Sequence, residues 1–96
     1  MPIEIESYDT TARFDGELIG LKRDIQKAVG EAIKKLIENP NSNAVRLHPL
    51  SGYGKPTIWK MDVFPDHSWQ ITLEIINKVA VLRRVATHKD LDRSPR

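Results

Sequence analysis

The chain has 96 residues and a mass of 11.0 kDa, and is 40% hydrophobic and 29% charged, enough for one domain with a modest core. It has no cysteine, which excludes disulfide scaffolds, thiol nucleophiles, cysteine zinc sites and iron–sulfur clusters. The net charge of +2 is uneven, with −2 on residues 1–43 and +4 on residues 44–96; the basic half suits a polyanion or an acidic partner as well as an ordinary solvated surface.

Ile3, Ile5 and Ser7 alternate with Glu4, Glu6 and Tyr8, the period of a half-buried strand. Asp9-Thr10-Thr11 then offers oxygens to cap a helix. From Phe14 to Ile37 the apolar residues Phe14, Leu18, Leu21, Ile25, Val29, Ala32, Ile33, Leu36 and Ile37 recur at steps of three and four, so one helical face is buried. A single helix of that length is unusual in a small domain, and a break is expected between Gly20 and Asp24. Pro40 ends the helical stretch by removing a donor and clashing with the preceding turn.

The period then changes. Ala44–Leu47 is expected as a short strand and His48–Pro56, with two prolines and two glycines, as a loop. Thr57–Phe64 and Trp69–Ile75 alternate around a turn at Pro65–Ser68, and Trp59 and Trp69 fall on apolar faces. Asn77-Lys78 turns the chain into Val79–Val85, whose β-branched, apolar content fits a central strand. The expected fold is α+β, with an N-terminal strand and two helices packed on one face of an antiparallel sheet. Residues 1–92 form the domain and residues 93–96 a flexible tail. No run reaches the ~20 apolar residues of a membrane span. Residues 1–6 lack the basic and apolar regions of a signal peptide, so a cytoplasmic protein is expected.

The three histidines fall at element edges: His48 at the start of the loop, His67 in the turn and His88 after the last strand. Each can exchange a proton near neutral pH, and each also suits an ordinary surface position. No two share a helix at ligand spacing, so neither a metal nor another cofactor is expected. Gly52-Tyr53-Gly54-Lys55 lacks the spacing of a phosphate-binding loop, and Ser51 lies in no hydrolase pattern. RNA, by contrast, carries its own nucleophile, the 2′-hydroxyl. Its cleavage needs a base, cations for the phosphorane and an acid for the 5′-oxygen. Histidine, aspartate, lysine and arginine supply these, and all four occur in the basic half.

Several strings in order give a sharper likeness: Leu36-Ile37-Glu38-Asn39-Pro40, His48-Pro49-Leu50 followed by Gly52, Trp59-Lys60-Met61-Asp62-Val63 with Pro65-Asp66, and Arg84-Val85-Ala86-Thr87-His88-Lys89-Asp90-Leu91. Together they resemble the RelE/ParE superfamily of toxin–antitoxin toxins, and within it the YafQ-like mRNA interferases. The resemblance implies that His48 and His88 are acid–base groups and that Asp66 is an active-site carboxylate. It implies phosphate contacts from Lys60, Arg46, Arg83 and Arg84, and His67 and Lys89 extend that substrate-binding set. It implies two partners, an antitoxin protein and mRNA at the ribosome, and no membrane. Asp62 stands where a further histidine is expected and Asp92 where an aromatic is expected. These two departures fit the alternative, a non-catalytic relative or a ParE-like inhibitor of a protein target.

Overall fold

A computed structural model describes residues 2–96; Met1, which opens the expected domain, lies outside the described residues. The elements run β1 (Ser7–Thr10), α1 (Ala12–Ile19), α2 (Arg23–Glu38), β2 (His48–Leu50), β3 (Ile58–Asp62), β4 (Trp69–Ile76), β5 (Val79–Thr87) and α3 (His88–Arg93). The strands form one sheet of order β1-β5-β4-β3-β2. β1 runs parallel to β5 and the other pairs are antiparallel. This is the α+β arrangement read from the sequence, with a third helix added at the end of β5.

The helical stretch divides where the glycine and polar residues allow it. Thr11 caps α1: its Oγ accepts from the Phe14 N–H at 3.1 Å and donates to the Arg83 carbonyl at 3.0 Å, tying the helix start to β5. The last carbonyls of α1 would otherwise be orphaned. The Gln26 amide of α2 donates to Leu18 O at 2.9 Å and to Ile19 O at 3.4 Å. The expected break is therefore a built corner. Phe14, Val29, Ala32, Ile33 and Leu36 then meet Met61, Ile71, Leu73, Ala80, Leu82 and Val85 in one core.

Three sequence expectations are corrected. The first strand lies at Ser7–Thr10 rather than from Ile3 onward. Ile3 is instead held by the Asn41 side chain, which accepts from its N–H at 3.0 Å and donates to its carbonyl at 2.8 Å. Ala44–Leu47 forms no strand, and the strand falls on the proline-containing His48–Leu50. β2 is an edge strand, where a proline removes no inner ladder bond. Finally, residues 94–96 lie against the sheet. Pro95 is buried, Arg96 Nε donates to Glu74 at 3.2 Å, and Arg96 also donates to the Tyr53 and Pro56 carbonyls at 3.0 and 2.9 Å.

The register positions the second face of the sheet. Opposite residues share a face, so Lys60 and Asp62 of β3 align with His48 of β2 and with Thr72 and Gln70 of β4. The β4–β5 register slips between Thr72, opposite Arg84, and Leu73, opposite Leu82. The extra residue is Arg83, a β-bulge. It moves Arg84 onto the face away from the core. No helix among the described residues is long and apolar enough to cross a membrane.

Candidate active site

Residues far apart in sequence converge at one end of that second face. An open cleft of about 550 Å³ is lined by Arg46, His48, Lys60, Asp62, Asp66, His67, Gln70 and His88. Six of the nine sequence-derived site residues are here: His48, Asp66, His88, Arg46, Lys60 and His67. Arg83, Arg84 and Lys89 do not line it. Arg84 is consumed elsewhere, with its guanidinium on Glu17 at 2.6–3.2 Å and on the Ser94 carbonyl at 2.6 Å. Arg83 lies 3.6 Å from Glu74, and Lys89 is exposed on α3.

A side-chain hub was missed at the sequence level. The Asp62 side chain, only 5% exposed, takes two hydrogen bonds and an ion pair. Gln70 Nε2 approaches Oδ1 at 2.7 Å, while Arg46 Nε at 2.8 Å and His67 Nδ1 at 2.6 Å approach Oδ2. Arg46 and His67 both have left-handed backbones, with φ of 55° and 64°. Such conformations are uncommon for non-glycine residues and concentrate at functional sites. Here both aim a side chain at the same carboxylate. The alternation of β3 was the available signal, because it sets Asp62 on the same face as Lys60, beside a turn that folds His67 back.

The partners fix the protons on the imidazoles. A backbone carbonyl can only accept, so His48, whose Nδ1 lies 2.9 Å from Arg46 O, carries its proton there. Its Nε2 then holds a lone pair. His67 is in the same state, since Nδ1 faces the Asp62 carboxylate. His88 Nδ1 lies 2.9 Å from Gln70 Oε1 and its Nε2 lies 3.2 Å from Asp92 Oδ2. Gln70 Oε1 only accepts, so Nδ1 donates to it in either charge state, and a second proton, when the ring carries one, lies on Nε2 facing Asp92. The proton that can leave is the one on Nε2. Lys60 Nζ sits 3.6 Å from Asp92 and 3.5 Å from His88 Nδ1. The latter is a contact only, because that nitrogen already donates to Gln70.

Asp66 closes the rim in a tight turn. The Ser68 hydroxyl at 2.6 Å, then the Ser68 N–H at 3.0 Å, hold its carboxyl below the usual carboxylate range. Among the described residues no group of three His, Asp or Glu side chains is arranged to hold a metal ion. The cleft therefore offers the Nε2 atoms of three imidazoles, a carboxylate held below its usual range, the Lys60 ammonium and the Arg46 guanidinium beside Asp62.

Comparison with solved structures places the fold. The chain superposes on a chain of the Escherichia coli DinJ–YafQ toxin–antitoxin complex with a TM-score of 0.70, 18% identity, and coverage of 91% of this chain and 98% of that one. The fold is that of the RelE/YafQ toxins. YafQ from E. coli strain BL21(DE3) matches at a TM-score of 0.69 and 18% identity, over 88% of this chain and 94% of that one. A chain of the Methanococcus jannaschii RelB–RelE antitoxin–toxin complex matches at 0.60 and 20%, again over 88% and 94%. No family model matches the chain, and no curated protein matches its sequence. The RelE/YafQ likeness thus lies in the backbone path and in the few strings named above.

Proposed function

We propose that this chain is the toxin of a type II toxin–antitoxin pair and that it cleaves mRNA in the cytoplasm, at the ribosome, through the 2′-hydroxyl. The observation that carries this reading is the gathering of His48, Asp66, His88, Lys60 and Arg46 around one cleft on a RelE/YafQ scaffold. In this scheme the His48 Nε2 lone pair takes the 2′-hydroxyl proton. The freed oxygen attacks phosphorus, the P–O5′ bond breaks, and a 2′,3′-cyclic phosphate forms. His88 Nε2–H gives its proton to the departing 5′-oxygen. Lys60 and Arg46 balance the charge that builds on the phosphorane. Asp66, held as a carboxylate, and His67 orient the nucleotide at the rim. The residues needed are side chains of this chain acting on the RNA's own nucleophile.

The same open cleft, with Lys60 and Arg46 in its wall, suits an antitoxin that covers it with a segment that folds on contact. Induced expression tests the reading. Wild-type protein should arrest growth and produce ribosome-dependent mRNA cuts, and a His48→Ala, His88→Ala double variant should do neither. Equal arrest by both without cuts would point to the rival, a ParE-like inhibitor that acts by binding a protein.

A further inference from the structure

The resemblance to YafQ-like toxins expects a histidine where this chain has Asp62, so Asp62 reads at first as a lost catalytic group. The structure gives it different work. We propose that Asp62 is the positioning residue of the cleft and sets the proton placement of two histidines at once. This proposal rests on the nuclease reading for its functional consequence, while its geometry stands apart from it.

Two limbs leave the Asp62 carboxylate. On the first, Oδ2 accepts from His67 Nδ1 at 2.6 Å. That bond forces the neutral imidazole to keep its proton on Nδ1 and to carry its lone pair on Nε2. On the second, Oδ1 accepts from Gln70 Nε2 at 2.7 Å. An amide has one donor end and one acceptor end. Fixing the nitrogen on Asp62 turns Oε1 toward His88, where Nδ1 donates to it at 2.9 Å. The orientation of Gln70 thus passes the choice made at Asp62 on to His88. With Nδ1–H committed, the only His88 proton free to leave is the one on Nε2, beside Asp92 at 3.2 Å.

The hub is built to be rigid. Asp62 and Gln70 are 8% and 3% exposed and directly opposite each other on β3 and β4. Arg46 Nε lies 2.8 Å from Oδ2 as an ion pair and balances the charge of the buried carboxylate. His48 is the internal control. Its Nδ1 bonds the Arg46 carbonyl, so its tautomer owes nothing to Asp62.

Ring-nitrogen NMR on ¹⁵N-histidine-labelled full-length protein, at a pH where the imidazoles are neutral, reads the tautomers directly. In the wild type all three histidines should carry the proton on Nδ1. In Asp62→Asn an NH₂ group replaces one acceptor oxygen, so the limb it faces reverses: His67 moves toward the Nε2–H form if the NH₂ takes the Oδ2 place, His88 if it takes the Oδ1 place and turns Gln70, while His48 stays. In Gln70→Met only His88 should change. Wild-type His67 and His88 both protonated on Nε2, or Asp62→Asn leaving both unchanged, would overturn the proposal. If Asp62→Asn does not fold, the wild-type spectrum and Gln70→Met decide it. On ribosome-bound mRNA, Asp62→Asn should lower kcat by roughly 10- to 100-fold with little change in KM, the size seen when partners that orient metal-bound histidines are removed. Altered tautomers with unaltered kcat would overturn the positioning role. The expected tautomers in a wild-type protein that cuts no RNA would instead sink the nuclease reading and leave the geometry standing.

Discussion

Glu17 holds Arg84 to the sheet, and removing it should be among the most damaging single changes away from the apolar core. The Arg84 side chain is 9% exposed and Glu17 23% exposed. The Glu17 carboxylate takes three contacts from the guanidinium at 2.6–3.2 Å and a fourth, longer one from the Val85 N–H at 3.4 Å. It therefore also caps β5 beyond Leu82, the last β5 residue paired with β1. Glu17→Ala leaves a buried cation with only the Ser94 carbonyl, at 2.6 Å. Breaking one side of a buried pair costs about 3–5 kcal/mol, and the surviving Ser94 contact sets the lower end, about 3 kcal/mol. For a domain of this size that is a fall in Tm of roughly 12–24 °C. The double variant Glu17→Met, Arg84→Met replaces both charges with apolar volume and should lose far less, about 1 kcal/mol or under. Urea unfolding of the wild type and the two variants compares the losses. A Glu17→Ala loss below about 0.5 kcal/mol, the range of an ordinary surface change, would refute the assignment of Arg84 to structure and return it to the list of phosphate contacts.

Other outcomes follow from the same geometry. Phe14, fully buried between α1 and the sheet, should cost about 3–5 kcal/mol as Phe14→Ala, read by urea unfolding. Lys78 closes the β4–β5 hairpin at φ 65°, after Asn77 at φ 51°, so Lys78→Gly creates the favoured Asn-Gly turn. It should gain several tenths of a kcal/mol despite losing exposed ion pairs to Glu4 and Glu6 at 3.1 and 3.8 Å, and a lower Tm would count against the turn assignment. Asp66 should titrate below the ordinary aspartate range because Ser68 bonds its charged form. A depressed carboxyl pKa adds stability that is present above the unfolded value and is lost as pH falls through the folded value. Ser68→Ala should move the Asp66 titration upward in carbon-detected NMR, and no movement would remove Ser68 as the cause.

The parts of the fold set by local period were legible. The three-and-four spacing from Phe14 to Ile37, with Gly20 at the corner, marked both helices, and alternation marked β3, β4 and β5. Alternation at Ile3 and Ile5 also reported burial correctly: Ile5 is 7% exposed. It could not report that Asn41, 38 residues away, replaces the neighbouring strand. Pro49 argued for a loop because a central strand cannot hold it, and only the edge position of β2 makes it acceptable. In the site, residue types at element edges pointed to His48, His67 and His88. The fate of Arg84 was hidden because its partner Glu17 lies 67 positions earlier. Asp62 was hidden because its three partners come from a loop, a turn and a neighbouring strand, which meet only through the sheet register.

The chemistry of the cut ends tests the central claim most directly. Purified protein should be given mRNA on programmed ribosomes, and the fragment ends mapped by selective ligation. Attack by the 2′-oxygen leaves a 2′,3′-cyclic phosphate or its 3′-phosphate product on one fragment and a 5′-hydroxyl on the other. Those ends from wild-type protein, and none from the His48→Ala, His88→Ala variant, are expected. Fragments ending in 3′-hydroxyl and 5′-phosphate, or the same cuts from both proteins, would contradict a cleft in which histidines drive the RNA's own nucleophile.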